Sequence, residues 1–139
     1  MVLWCQKIAA NAKVLKNIDP INPTVYQRAL TKGVAHAKGT VLPGEGGNMF
    51  LFAHSSDNFY NANRYNSVFY LLNKLEPGDE IYIYYEGVKY TYTTTKKKIV
   101  NPEQVSYLRG KGTQEKLILM TCWPAGTTLK RLVIEAEAK

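Results

Sequence analysis

The stretch LILMTCWPAGTTLKRLVIEA, residues 117–136, consists of two apolar segments separated by a short turn. Leu117 to Thr121 is a continuous apolar run of strand length, and Lys130 to Ala136 has the length and composition of a second strand. Between them, Trp123 to Thr128 contains a proline and a glycine, residue types that favour chain reversal. The stretch therefore predicts a β-hairpin, with Cys122 at the point where its first strand meets the turn.

Other parts of the chain predict further short strands. Met49 to Ala53 is another continuous apolar run, consistent with a buried central strand, and it ends at His54. Glu80 to Tyr85 and Val88 to Thr95 flank Glu86-Gly87, which is a strong hairpin signal. The remaining strand candidates are Val2-Leu3-Trp4, Ala12 to Leu15 and Val34 to Ala37.

Helical signals are fewer. Pro23 suits the first turn of a helix that runs to about Leu30, and Gly33 ends it. Ser55-Ser56-Asp57 can cap a second helix, and Pro102 to Leu108 is a candidate for one helical turn. Many short, mostly antiparallel strands with one or two short helices favour a β-barrel or a compact α+β domain.

The length and composition are those of one globular domain. The chain has 139 residues without a repeat or linker, so we interpret residues 1–139 as a single domain. The cysteines, Cys5 and Cys122, are too few for a disulfide framework and lack metal-ligand spacing. The sequence contains no run of about 18 apolar residues, so it does not predict a membrane helix.

The charge balance is basic, with a formal net charge of +7. The basic residues are spread along the chain, with a dense run at Lys96-Lys97-Lys98 and a looser group at Arg109, Lys111 and Lys116. Such a run usually forms a solvated face. The alternative is a polyanionic partner, such as nucleic acid, a membrane surface or a cell-wall polymer.

Cys122 is the candidate nucleophile. A cysteine is often only a small buried hydrophobic residue. Here Thr121 places a hydroxyl beside it, and Trp123-Pro124 bends the chain directly after it. A side chain at such a strand end can meet solvent, which a nucleophile requires.

His54 is the candidate acid and base, because it ends the other apolar strand. If the two apolar strands are neighbours in one sheet, their ends bring His54 and Cys122 to the same rim, as proton exchange with a thiol requires. The alternative is that His54 is an ordinary surface or core histidine with its hydrogen bonds satisfied. His36 is the competing histidine, and it lies inside a short predicted strand.

Arg131 is the candidate for stabilising an oxyanion. The hairpin returns the chain alongside itself, so Arg131 can lie nearly opposite Cys122. Arginine keeps its charge and offers a rigid fork of donors, which suits a developing oxyanion. The neighbouring Lys130 points to the opposite face and provides a control position.

These residues resemble the sortase family of cysteine transpeptidases. Residues 118–122, Ile-Leu-Met-Thr-Cys, are similar to the sortase signature Thr-Leu-x-Thr-Cys, and residues 123–134 resemble the loop and arginine-bearing strand that follow it. Residues 52–55, Phe-Ala-His-Ser, are similar to the family's histidine segment, and residues 42–48 precede it as the resemblance requires. Ile118 departs from the first Thr of the signature, and Ala53 stands where many sortases have Gly.

The resemblance implies a closed β-barrel of about eight strands and a transpeptidation reaction. Sortases cleave a sorting signal, usually of Leu-Pro-x-Thr-Gly type, between Thr and Gly, and transfer the acyl group to an amine. The resemblance implies Cys122 as nucleophile, His54 as acid and base, and Arg131 as oxyanion partner. We expect Thr121, Met120 and Ser55 to contact the substrate.

The resemblance also implies partners and a location. The partners are surface proteins with a C-terminal sorting signal, and an amine acceptor from the cell wall or a pilin. Sortases are typically tethered at the outer face of the membrane, so we expect an anchor that is missing from this sequence. The short span between the Tyr-rich hairpin and Cys122 looks more like class D or E sortases than class B.

We expect neither cofactor nor metal. The loop before the His54 strand offers only Glu45 as a carboxylate, and the segment that leads to Cys122 offers only Glu103 and Glu115, set among basic residues. Calcium needs about six to eight oxygen ligands, normally with several carboxylates brought close together. The sequence therefore predicts activity that does not depend on calcium.

Two rival interpretations use the same residues differently. A papain-like cysteine hydrolase would transfer the acyl group to water, but His54 precedes Cys122 and the third residue is Arg rather than Asn or Asp. A basic β-barrel that binds nucleic acid would stack bases on the hairpin tyrosines. Those tyrosines are Tyr82, Tyr84, Tyr90 and Tyr92.

Overall fold

A computed structural model describes residues 1–5, 10–30, 33–53, 72–103, 114–123 and 129–138. Over these residues the chain forms eight strands, one α-helix and one 3-10 turn. The strands are β1 Val2–Cys5, β2 Ala10–Ile18, β3 Val34–Ala37, β4 Asn48–Phe52, β5 Glu80–Tyr85, β6 Val88–Val100, β7 Lys116–Trp123 and β8 Lys130–Ala138. The helix α1 is Pro23–Leu30, and the 3-10 turn is Leu72–Lys74. The helix predicted after residues 55–57 and most of the turn predicted at 102–108 lie outside the described residues.

The strands close into a barrel in the order β1-β2-β3-β4-β7-β8-β6-β5. Two neighbouring pairs, β2 with β3 and β4 with β7, are parallel, and the other pairs are antiparallel. The expectation of a mainly β fold, closed as an eight-stranded barrel with a short helix, is confirmed. None of the described helices has the length and apolarity needed to cross a membrane.

Buried and exposed residues alternate in β5, whereas β3, β4, β7 and β8 carry consecutive buried residues on both faces. In β5, Ile81 and Ile83 are fully buried, while Tyr82 and Tyr84 between and after them point outward. The inward residues of the other strands complete one apolar core. It includes Leu3, Val14, Met49, Leu51, Leu117, Leu119, Leu132 and Ile134.

The helix α1 starts and ends as its sequence predicts. Asn22 precedes Pro23, and its side-chain oxygen accepts a hydrogen bond from the Thr24 amide at 3.1 Å, which caps the first turn. After the helix, Gly33 passes so close to β2 that a Cβ atom would lie 2.4 Å from the Lys13 carbonyl oxygen. Glycine at this position therefore allows β3 to pair with β2.

The strands β2 and β6 are longer than the sequence predicted, since we expected 12–15 and 88–95. The lysine run continues β6 because nearby carboxylates neutralise two of its charges. The Lys97 ammonium lies 2.7 Å from a Glu76 carboxylate oxygen, and that of Lys98 lies 2.7 Å from a Glu135 carboxylate oxygen.

Candidate active site

Two parallel strands bring the candidate segments to one rim. In β4 and β7, Phe52 pairs with Met120, and the Ala53 amide donates to the Met120 carbonyl oxygen at 3.2 Å. Because the strands run in the same direction, their C-terminal ends meet at the same end of the barrel. The expected neighbourhood of the two apolar strands is therefore observed.

The hairpin of β7 and β8 places Cys122 directly opposite Arg131. Opposite residues of an antiparallel pair have Cα atoms about 4.5–5.5 Å apart and share one face of the sheet. Cys122 and Arg131 are each half-buried, and their side chains share the outer face of the sheet. One guanidinium N–H donates to the Lys130 carbonyl oxygen at 3.0 Å.

The other cysteine is in the core. Cys5 is fully buried on the inner face of β1, and burial raises the pKa of its thiol to about 12. A thiolate, rather than a thiol, is the attacking species. Cys5 is therefore protonated at neutral pH and lies where no substrate can reach it.

His36 has a structural role that accounts for both of its ring nitrogens. The Asn17 amide donates to Nδ1 at 3.1 Å, so the proton of the neutral ring is on Nε2, which donates to the Val41 carbonyl oxygen at 2.9 Å. Thr40 contacts the same Nε2 at 3.1 Å. Burial lowers the pKa of His36 and so favours this neutral form. His36 holds β3 to the loop that follows it and has no free nitrogen for acid–base chemistry.

His54 and Ser55 lie outside the described residues. Their predicted roles stay predictions. The residue before His54 is described, and the Ala53 amide donates to the carbonyl oxygen of Met120, two residues before Cys122 in β7.

The two neighbours of Cys122 in β7 face opposite ways. Thr121 is 1% exposed and pairs with Leu132, and its hydroxyl has no hydrogen-bond partner within the described part of the chain. Met120 is half-buried and shares the outer face with Cys122, two residues away. Of these two candidates for substrate contact, Met120 is half-buried on the face of Cys122, and Thr121 is directed into the barrel.

An ionic pair on the Arg131 face of β8 was not predicted from the sequence. Glu135 is only 7% exposed, and its Oε2 lies 2.7 Å from the Lys98 ammonium nitrogen. By alternation, Glu135 shares the outer face with Arg131. A single acidic residue within the apolar run of residues 132–136 is the signal that could have revealed it.

Two of the three carboxylates considered for a metal accept hydrogen bonds from backbone amides. Glu45 accepts from the Leu42 amide at 2.6 Å, and Glu115 accepts from the Gly44 amide at 2.5 Å. The fold thus brings Glu115 to the loop that carries Glu45, which the sequence alone did not indicate. Within the described ranges, no group of three or more potential ligands is gathered.

The tyrosines of the β5–β6 hairpin do not form one stacking surface. Tyr82 and Tyr84 face outward, whereas Tyr92 is fully buried in the core. The Lys89 ammonium lies 4.1 Å from the centre of the Tyr82 ring. This arrangement does not favour base stacking.

Comparison with known proteins identifies relatives with the same fold. The family model described as Sortase domain matches residues 5–139. The chain is 32% identical over 136 residues to Sortase D of Bacillus subtilis (strain 168), a match that covers 96% of this chain and 60% of that protein. Sortase C-1 from Actinomyces oris superimposes with a TM-score of 0.81 and 26% identity, over 99% of this chain and 70% of that one. Sortase C from Clostridium perfringens was solved with the C-terminal cell wall sorting motif. It superimposes with a TM-score of 0.80 and 25% identity, over 99% of this chain and 69% of that one.

Proposed function

Because this chain belongs to the sortase family, we propose that it is the catalytic domain of a cysteine transpeptidase. Its substrate is a sorting signal of Leu-Pro-x-Thr-Gly type, which it cleaves between Thr and Gly. The observation that carries this proposal is the pairing of Cys122 with Arg131 at the rim where β4 also ends. The chain spans 60% of the length of its curated relative, so the activity is proposed for this domain.

The reaction proceeds in two halves. The Cys122 thiolate attacks the Thr carbonyl carbon, the Sγ–C bond forms, and the C–N bond to Gly breaks as His54 protonates the leaving amine. An incoming amine then attacks the thioester, His54 accepts its proton, and the Cys122 thiolate is released. Splitting the transfer in this way replaces one difficult step by two easier ones.

Arg131 stabilises the oxyanion in both halves. Its guanidinium is fixed in charge and is held on the same face as the thiol by the strand register. A donor aimed at the developing negative charge lowers the barrier without reorganising in the transition state. The geometry of the hairpin supports this role.

His54 follows Ala53 in the chain, and consecutive Cα atoms are about 3.8 Å apart. Ala53 is bonded to the Met120 carbonyl, two residues before Cys122. Connectivity therefore supports His54, rather than His36, as the acid and base. Met120 and Ser55 are proposed to contact the substrate, and Thr121 would act through packing behind the nucleophile.

The partners follow from this activity. We propose surface proteins with a C-terminal sorting signal as acyl donors, and an amine of the cell wall or of a pilin as acceptor. Such partners place the domain at the outer face of the cell membrane. The Clostridium perfringens sortase C solved with the C-terminal cell wall sorting motif supports the substrate class.

A ligation assay tests the proposal. The domain is incubated with Leu-Pro-x-Thr-Gly and Leu-Ala-x-Thr-Gly peptides and an amine, and mass spectrometry follows the ligated product and the thioacyl adduct on Cys122. Amine-dependent ligation supports transpeptidation. Hydrolysis alone, unaffected by the amine, would instead indicate a cysteine hydrolase.

A further inference from the structure

Exposed apolar side chains bordered by lysines lie at the end of the barrel where β1 begins. We define the rim patch as Val2, Tyr84 and Val88 together with Lys13, Lys16 and Lys89. The three apolar members are 41%, 41% and 49% exposed. Single exposed hydrophobic residues are ordinary, whereas their clustering in one place indicates contact with another surface.

The strand register arranges four of these residues in one row. Val2 pairs with Lys13 on one side and with Tyr84 on the other, and Tyr84 pairs with Lys89. Neighbouring strands are about 4.8 Å apart, so the row is about 14 Å long, with an apolar centre and a lysine at each end. The Lys16 ammonium lies 5.2 Å from the centre of the Tyr85 ring at the same end of the barrel.

This arrangement matches the chemistry of an anionic lipid surface. Apolar and tyrosine side chains enter the boundary between headgroups and acyl chains, while lysines reach the lipid phosphates through their long stems. In the next row, Trp4 pairs with Tyr82, and both types are enriched at membrane interfaces. The acidic residues next to these three lysines are Glu86 in the neighbouring turn and Glu80 further along β5.

The same features are less suited to stacking a polymer. The Lys89 ammonium already lies over the Tyr82 ring, and the Tyr82 hydroxyl donates to a Glu80 carboxylate oxygen at 2.9 Å. Nucleic acids and glycans need an open aromatic face, whereas an interfacial layer needs only amphipathic side chains at the correct depth.

We propose that the rim patch is a surface by which this domain lies on an anionic membrane. The proposal is independent of the transpeptidase proposal. It has a geometric consequence, because β1 is four positions from β7 in the closed order and begins at the end of the barrel opposite to Cys122. Docking through the rim patch directs Cys122 away from the lipid.

Vesicle sedimentation tests the proposal, with phosphatidylcholine vesicles that contain or lack phosphatidylglycerol. We expect binding only to the anionic vesicles. Lys13→Gln combined with Lys89→Gln should weaken it by about tenfold or more. Lys74→Gln combined with Lys130→Gln removes the same charge from exposed positions away from the rim patch and should change it by less than about twofold.

An apolar pair of variants completes the test. Tyr84→Ser should weaken vesicle binding by about fivefold, whereas Ile99→Ser, at a more exposed position near the opposite end of the barrel, should not. Equal losses in the two charge variants would overturn the proposal in favour of general attraction. Binding of soluble polyphosphate with the same lysine dependence, and no effect of Tyr84→Ser, would overturn it in favour of a polyanionic ligand.

Discussion

The two cysteines of this chain differ in nearly every property that governs reactivity. Cys122 is half-buried at a strand end, and Cys5 is fully buried with its pKa raised to about 12. Cys122→Ala should therefore abolish peptide cleavage, while Cys5→Ala should keep most of it. Product formation measured by mass spectrometry checks both variants. The reverse pattern would show that Cys5, and not Cys122, is the nucleophile.

Arg131→Lys tests whether the planar fork of donors, rather than charge alone, supports the reaction. We expect a loss of about 100-fold or more in kcat/KM, typical of losing an oxyanion donor. Lys130→Ala is the control, because Lys130 is exposed and its ammonium contacts the Asn101 side chain. Similar losses at the two positions would mean that Arg131 does not act on the oxyanion.

His36 makes stability depend on pH. Its pKa in the folded protein is lowered from 6.5, chiefly by burial, so below about pH 6.5 the unfolded chain binds more protons than the folded one. The free energy of unfolding should therefore fall as the pH is lowered from 7.5 through 6.5. Denaturant titration of the His54→Ala variant measures the free energy of unfolding at each pH. Adding His36→Gln should lower that free energy and flatten its dependence on pH. If His36→Gln left the slope of the free energy of unfolding against pH unchanged, His36 would not be the source of the pH dependence.

At the scale of elements, Gly33 controls how β3 lies against β2. A Cβ atom there would lie 2.4 Å from the Lys13 carbonyl oxygen, so the backbone must move. Gly33→Ala should destabilise the fold by about 1–3 kcal/mol, the usual cost of overpacking. A thermal melt measures the effect. An unchanged melting temperature would show that the β2–β3 contact is looser than this distance indicates.

The hairpins were predictable because their signals are local. Glu86 and Gly87 both have positive φ, 50° and 79°, as a two-residue turn between twisted strands requires, and β5 has the predicted bounds. The turn between residues 123 and 128 likewise predicted that Arg131 lies nearly opposite Cys122, as the register shows. The end of β6 was missed because its continuation depends on Glu76 and Glu135, which are distant in sequence from the lysine run.

The order of strands in the barrel was not predictable from local pattern. Leu51 and Leu119 pair across the parallel β4–β7 contact, and nothing in either apolar run specifies the other as partner. The resemblance to a known family provided the closed eight-stranded barrel. Pairing between distant segments is determined by packing of the whole chain, which short sequence windows do not contain.

At the scale of the whole molecule, the carboxylate placement predicts behaviour towards calcium. Glu45 and Glu115 are close to one loop, but each binds a backbone amide, and two carboxylates are few for a calcium ion. Ligation activity should therefore be the same with EDTA and with added calcium. A several-fold loss on chelation, restored by calcium but not by magnesium, would contradict this prediction.

The parallel contact of β4 with β7 has a consequence for how activity appears during folding. The β7–β8 hairpin joins neighbours in sequence, whereas the Ala53–Met120 bond closes a loop of about half the chain. Contacts between distant segments form slowly, because the chain loses the entropy of closing the loop before the contacts stabilise the fold. A newly made chain can thus hold its thiol beside its arginine while the strand that leads to the histidine is still unattached. In a refolding experiment, acyl transfer should return with the slow closure of the barrel, so half-folded molecules would not acylate the wrong proteins.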